Sequence, residues 1–230
     1  MRVTVIVPAY NEAATIEQVL RRVADLQLDA EILVVDDGSV DDTAEIVGAL
    51  ESQIAGLLLI IHERNQGKGA AVRTGINASR GEIVMIQDAD LEYDPADIPK
   101  LLEPLNNGVA DVVYGTRFRG GQTQRAHLFW HYAGNKFLSL LTNILFNTTI
   151  SDMEVGYKAF NGELIRSIKL VSDDFAFEPE VTAKVLLHKD IRIFEVAISY
   201  YGRTYDEGKK ITWRDGFSAV AALIRFRFTS

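Results

Sequence analysis

Ile83-Val84-Met85-Ile86-Gln87-Asp88-Ala89-Asp90-Leu91-Glu92-Tyr93-Asp94 begins as an apolar, β-branched run and ends in acid. The run from Glu82 to Ile86 is long enough for a buried strand and too short for a helix. Two carboxylates, Asp88 and Asp90, follow at its C-terminal end, which in an open parallel sheet is the edge where ligands bind. Two hard oxygen ligands held there suit Mg²⁺ or Mn²⁺, cations that keep several waters and are completed by substrate phosphates. Taken alone, an Asp-x-Asp also reads as the solvated turn after a strand, so the neighbouring segments decide.

Upstream, the same plan occurs three times. Val3 to Val7 is a β-branched run broken by Pro8-Ala9-Tyr10-Asn11-Glu12, after which Ile16, Val19, Leu20 and Val23 recur on one helix face. Asn11 is expected to cap that helix, with Glu12 in its first turn. Ile32 to Val35 is a second strand, Asp36-Asp37-Gly38-Ser39 its turn, and Thr43 to Leu50 the helix that follows. Leu57 to Ile61 is a third, leading through Asn65-Gln66-Gly67-Lys68-Gly69 to a small-residue helix from Ala70 to Ala78. Alternating strands and helices predict an α/β fold with a mostly parallel sheet and right-handed crossovers. The Gly67-x-Gly69 loop is neither a dinucleotide fingerprint, since Val72 stands at the third glycine, nor a P-loop, which needs Ser or Thr after the lysine. Two readings remain: glycines for a tight turn with a solvated lysine, or Lys68 reaching a diphosphate at the edge that carries Asp88.

Downstream, Asp94 and Pro95 start a helix whose face is Ile98, Leu101, Leu102 and Leu105, and Asp111 to Tyr114 is another strand. From Val112 through Ser151 there is no Asp or Glu, while Arg117, Arg119, Arg125 and Lys136 fall there, a cationic region on a chain of net charge −8. That acidic balance argues against nucleic acid as a partner. Ala126 to Phe146 is rich in Leu, Phe and Trp, and reads either as a buried core helix or as an amphipathic element in a membrane interface. Acidic loops follow at Ser151 to Tyr157 and Phe175 to Glu180, the second opening a helix through His188. Ile191 to Tyr200 reads as a strand and Trp213 to Phe228 as a last helix. With no cysteine in 230 residues, disulfides and thiolate chemistry are excluded. The four histidines show no metal-ligand spacing. The N-terminus carries no leader pattern, and no apolar run approaches the roughly 20 residues needed to span a bilayer, so membrane contact is expected to be peripheral and cytoplasmic.

Read in order, Pro8-Ala9-Tyr10-Asn11-Glu12, Asp36-Asp37-Gly38-Ser39, Gly67-Lys68-Gly69 and Gln87-Asp88-Ala89-Asp90 resemble the motif series of inverting GT-A glycosyltransferases. Tyr114-Gly115-Thr116-Arg117, Asp152-Met153-Glu154-Val155-Gly156-Tyr157-Lys158, Phe177-Glu178-Pro179-Glu180 and Tyr201-Gly202-Arg203 narrow the resemblance to the dolichyl- and polyprenyl-phosphate sugar synthases. The match runs from residue 3 to about residue 217.

The resemblance implies a GT-A fold as one domain over residues 1–230. Residues 1–116 would bind the nucleotide sugar, and 117–230 would carry the acceptor side and amphipathic, membrane-facing helices. It implies a nucleotide-sugar donor such as GDP-mannose or a UDP-hexose, a polyprenyl or dolichyl phosphate acceptor, and Mg²⁺ or Mn²⁺. Pro8, Tyr10, Glu12 and Asp36 would hold the nucleoside; Gln87, Asp88, Asp90 and Lys68 would hold the diphosphate and cation. Glu92 stands where relatives often carry a Gln that assists the metal. Arg117, Arg125 and Arg203 would meet donor or acceptor phosphate, and Asp152 would lie near the reacting centre. A homo-oligomer or a separate membrane-anchoring partner is compatible with all of this. The rival expectations are transfer to a saccharide hydroxyl and a non-catalytic nucleotide-sugar-binding module.

Overall fold

The computed structural model of the chain describes residues 2–123, 125, 128–202 and 213–229, with side chains omitted for 213–215. Its centre is a seven-stranded sheet. Strands β1 (Val3–Ala9), β2 (Ala30–Asp36), β3 (Leu57–Ile61), β4 (Ile83–Ile86), β5 (Val112–Thr116), β6 (Lys158–Asn161) and β7 (Ile193–Ala197) lie in the order β3-β2-β1-β4-β6-β5-β7. The connecting helices are α1 (Ile16–Ala24), α2 (Thr43–Leu50), α3 (Lys68–Ala78), α4 (Ile98–Asn106), α5 (Phe129–Phe146), α6 (Gly162–Ser167), α7 (Phe177–Leu186) and α8 (Trp213–Phe228). Because β1, β2 and β4 are covered on both faces, they read as continuous apolar runs, and all four residues of β4 are buried. α1 buries the predicted stripe of Ile16, Val19, Leu20 and Val23.

The mostly parallel expectation holds with one exception that matters for the site. β6 runs antiparallel between β4 and β5. The parallel strands deliver their C-terminal ends to one edge. β6, reversed, brings its N-terminal end there, and with it the loop from Asp152 to Tyr157. Neither β6 nor α6 was expected, for β6 is only four residues long and opens with a lysine.

Other differences are local. Asn11 does not cap α1, which begins at Ile16 after Thr15. Its backbone is left-handed, its N–H donates to Ser39 Oγ, and its Oδ1 accepts from Val40 N–H, so it ties the first loop to the second. Asp94 caps as expected, accepting from Ala96 N–H, but the turn at Pro95–Asp97 is 3₁₀ before α4 starts. Gly67 and Gly69 are required by close approach. A Cβ on Gly67, which also sits at φ 102°, would lie 2.3 Å from Asp173 O, and one on Gly69 would lie 2.4 Å from Ser172 O. The Lys68 loop is thereby pressed against the segment that leads into α7.

Candidate active site

A cavity of about 370 Å³ opens at the edge where β1, β2, β4 and β5 end. Pro8 lines it from the end of β1, Tyr10 and Glu12 from the loop after it, Asp88, Asp90 and Glu92 from the loop after β4, and Arg117 from just past the end of β5. Lys68, in the first turn of α3, reaches in from a third side.

Lys68 Nζ lies 2.7 Å from Asp88 Oδ1 and 3.8 Å from Glu178 Oε1. Burial works against its charge, but Asp88 and Glu178, with Asp90, more than offset that and hold its pKa above the ordinary lysine value. It is therefore a fixed cation. Asp90 Oδ1 accepts from Glu92 N–H across the left-handed backbone of Leu91 at φ 60°, a conformation costing about 1–2 kcal/mol outside glycine. Glu92 turns its carboxylate to Tyr200, whose hydroxyl donates to Oε2 at 2.7 Å.

The donor set suits a hard divalent cation. Asp88 and Asp90 supply two carboxylates on the cavity wall, and among the described residues no group of three or more His, Cys, Asp or Glu side chains converges on one point. Two carboxylates completed by substrate phosphate oxygens and water is how Mg²⁺ is usually held, in place of an all-protein cage. Glu92, at the position where a Gln assists the metal in relatives, lines the same cavity and accepts from the Tyr200 hydroxyl.

Several expected residues lie elsewhere than on the wall. Asp36 is 1% exposed and its carboxylate closes on Ser39 Oγ; the next residue, Asp37, lines the cavity. Asp37 accepts from Gln66 N–H and Gly67 N–H and pairs with His62, which itself bonds Thr74. Gln87 is fully buried between the Asp88 carbonyl and the Tyr157 hydroxyl, so it braces the Asp88 loop from behind. Asp152, expected beside the reacting centre, is also fully buried and faces Arg117. Arg117 Nε and Nη2 each donate to one of its oxygens at 2.7 Å, and Arg117 N–H donates to the first. Arg125 donates to Gly202 O outside the cavity, and Arg203 lies outside the described residues.

Other wall residues were not singled out from sequence. His131 and Asn135 reach the cavity from α5, Glu154 from the loop before β6, Glu178 from α7, and Tyr93 and Tyr200 from the connections beyond β4 and β7. The pair His131 and Asn135, four apart within an apolar helix, was the available signal for α5. Glu154 and Glu178 sat inside noted motifs, but no pattern shows which acid of a motif faces inward.

The family model for "Glycosyl transferase family 2" matches residues 4–168. The chain belongs to glycosyl transferase family 2. It is 31% identical over 216 residues to a dolichol-phosphate mannosyltransferase of Pyrococcus furiosus, covering 92% of this chain and 61% of that protein, so it spans about three fifths of that relative's length. It is 31% identical over 222 residues to an undecaprenyl-phosphate mannosyltransferase of Micrococcus luteus, covering 91% of this chain and 87% of that protein. Glucosyl-3-phosphoglycerate synthase from Mycobacterium tuberculosis, solved in complex with Mn²⁺, UDP and phosphoglyceric acid, shares the fold at a TM-score of 0.76 and 23% identity, over 99% of this chain and 79% of that one. The family 2 glycosyltransferase described here thus has the GT-A architecture, and the cavity at its strand ends is the candidate active site of a sugar-transferring enzyme.

Proposed function

We propose that this family 2 glycosyltransferase moves a sugar from a nucleoside diphosphate donor to the phosphate of a polyprenyl lipid, with inversion, at a membrane surface. The observation that carries the reading is the two-sidedness of α5. His131 and Asn135 line the cavity, whereas Phe129, Trp130, Phe137, Leu140 and Ile144 on the same helix are exposed, Trp130 by 81%. α8 packs beside it, with Arg227 Nε donating to Leu145 O, and adds exposed Phe217, Ile224 and Phe228. Among the described residues no helix is long and apolar enough to cross a membrane. An apolar surface flanked by Arg225 and Arg227 suits an element lying in the interface, which leaves an acceptor's lipid chain beside the helix that walls the cavity. The names of the Pyrococcus and Micrococcus relatives agree with a polyprenyl phosphate acceptor.

In this reading Pro8, Tyr10, Glu12 and Asp37, which line the cavity, hold the nucleoside, and Asp88 and Asp90 hold Mg²⁺ or Mn²⁺ against the diphosphate. Bound there, the cation would neutralise charge developing on the leaving nucleoside diphosphate. Lys68 supplies a second fixed positive charge at the same corner, and preorganised charge of this kind is usually the largest catalytic term. Arg117, which lines the cavity, is assigned to the acceptor phosphate. An oxygen of the acceptor phosphate attacks the anomeric carbon as the bond to the diphosphate oxygen breaks, in one in-line step. A phosphomonoester has a second pKa of about 6, so the attacking oxygen is already anionic at neutral pH and no general base is needed.

The test is incubation with UDP- and GDP-sugars, Mn²⁺ and a short polyprenyl phosphate. A glycolipid product is expected, lost in excess chelator and largely lost in Asp90→Asn. Transfer to a saccharide hydroxyl with none to the lipid phosphate would overturn the acceptor assignment.

A further inference from the structure

The loop from Asp152 to Gly156 is pinned at nearly every residue except Glu154. Asp152 is committed to Arg117, Met153 N–H donates to Ser139 Oγ, and Gly156 N–H donates to the Tyr93 hydroxyl. The ammonium of Lys158, fully buried, takes the carbonyls of Met153 and Val155 together with the Glu178 carboxylate. Met153 and Val155 are completely buried. Glu154, between them, lines the cavity, and its Oε1 is shut off from solvent with no hydrogen-bond partner among the described residues. A buried carboxyl oxygen without a donor costs about 1–3 kcal/mol or more, so a group this well supported and still unpaired implies a partner that arrives with the ligand.

The place and charge of that partner follow from the two ends of the loop. At one end Asp152 holds Arg117. At the other, Gly156 abuts the cation corner, for a Cβ there would lie 2.5 Å from Asp88 Oδ2 and 3.3 Å from Lys68 Nζ. Glu154 therefore stands on the wall between Arg117, assigned above to the acceptor phosphate, and the corner of Asp88 and Lys68, which on that reading is where the transferred sugar sits. Asp152 and Glu178 close by are already paired with Arg117 and Lys158, so the Glu154 carboxyl is the group here that a carboxylate on the ligand would oppose. Burial, and then Glu178, push the Glu154 carboxyl up to about 7 against the pull of Lys158 and Arg117. Near neutral pH it both accepts and donates hydrogen bonds, as recognition of a hydroxyl requires.

We propose that Glu154 is the specificity-determining residue for the donor sugar, reading a neutral hydroxyl or an amino group and rejecting sugars that carry a carboxylate. The inference rests on the nucleotide-sugar reading above and narrows it to uncharged or amino sugars. A pocket built around a polar group discriminates strongly because the wrong ligand leaves that group unpaired or opposed.

The test uses calorimetric binding with Mn²⁺, which needs no lipid acceptor. UDP, UDP-glucose and UDP-glucuronate are compared, and in parallel GDP, GDP-mannose and GDP-mannuronate, on the full chain and on Glu154→Gln and Glu154→Ala. The wild type is expected to bind the neutral donor at least tenfold more tightly than the uronate. Both variants should narrow that ratio at least fivefold while the affinity for the bare nucleoside diphosphate stays within about twofold. An unchanged ratio in both folded variants overturns the inference and leaves the proposed function standing. Tight uronate binding by the wild type does the same. Failure to bind any nucleoside diphosphate overturns both.

Discussion

Arg117 carries its charge with 7% of its surface exposed, and its ion-pair partner Asp152 is wholly buried. Burial works against the guanidinium charge, and Asp152 more than restores it, holding its pKa above the usual arginine value. Both carboxylate oxygens are spent on that pairing, and we propose that Asp152 is a positioning residue whose effect passes through Arg117. Asp152→Asn is expected to lower kcat for lipid transfer by about 10- to 100-fold, and to destabilise the fold by up to about 3–5 kcal/mol, because it strands a buried charge. The shape of the pH–rate profile should not change. The double variant Arg117→Ala, Asp152→Asn should be no slower than Arg117→Ala alone, since residues acting through one contact are not additive. Independent, multiplying losses in that cycle would show Asp152 acting on the substrate by itself. The sequence located Asp88 and Asp90 because a strand signal ends directly before them. The motif pointed to Asp36, whereas Asp37 lines the cavity: successive side chains at a strand end point to opposite faces, and which one meets the cavity depends on the turn that follows. The sequence could not pair Asp152 with Arg117, a contact across 35 residues.

At the scale of elements, α5 was legible as apolar but not as two-faced. Its composition fitted a core helix or an interfacial one, and the structure buries only Leu138, Ser139 and Thr142 fully, leaving Phe129, Trp130, Phe137, Leu140 and Ile144 to solvent. β6 was missed for the opposite reason. Lys158 reads as a surface residue, and only the fold supplies the Glu178 carboxylate and two carbonyls that let its ammonium be buried. For α5 the exposed face makes a separable prediction. Replacing Trp130, Phe137 and Ile144 together by Gln removes exposed apolar surface only, so stability should change by no more than about 0.5 kcal/mol per site. Sedimentation with vesicles containing anionic lipid should fall at least fivefold, and so should use of a long-chain polyprenyl phosphate, while a short-chain acceptor in detergent is transferred nearly as before. Equal loss with both acceptors would instead place these side chains in the chemistry or in folding.

At the scale of the whole molecule, the cavity has walls from both halves of the chain. Tyr10, Lys68 and Asp88 come from before residue 116, and Glu154, Glu178 and Tyr200 from after it. The halves also share one sheet, because β6 is threaded between β4 and β5, pairing Met85 with Ala159 on one side and Val113 with Ala159 on the other. Separating them would expose the edge of β4, whose four residues are all buried, to water. We therefore propose that residues 1–230 unfold as one domain, with the donor and acceptor sides as functional regions of it. Calorimetry should show one transition whose measured enthalpy matches the van't Hoff value. A nucleoside diphosphate with Mn²⁺ at about 100 times its Kd stabilises the native state by about 2.7 kcal/mol. At about 2–4 °C per kcal/mol for a chain of this size, the entire transition should move up by about 5–10 °C. Chelator should reverse most of that shift. Because Glu178, Lys158 and the Asp152 loop are coupled to the donor corner through Lys68 and Asp88, no part of the chain should melt at the ligand-free temperature when the donor is bound. A second transition that ignores the nucleotide would divide the molecule near residue 116 and refute the single-domain reading.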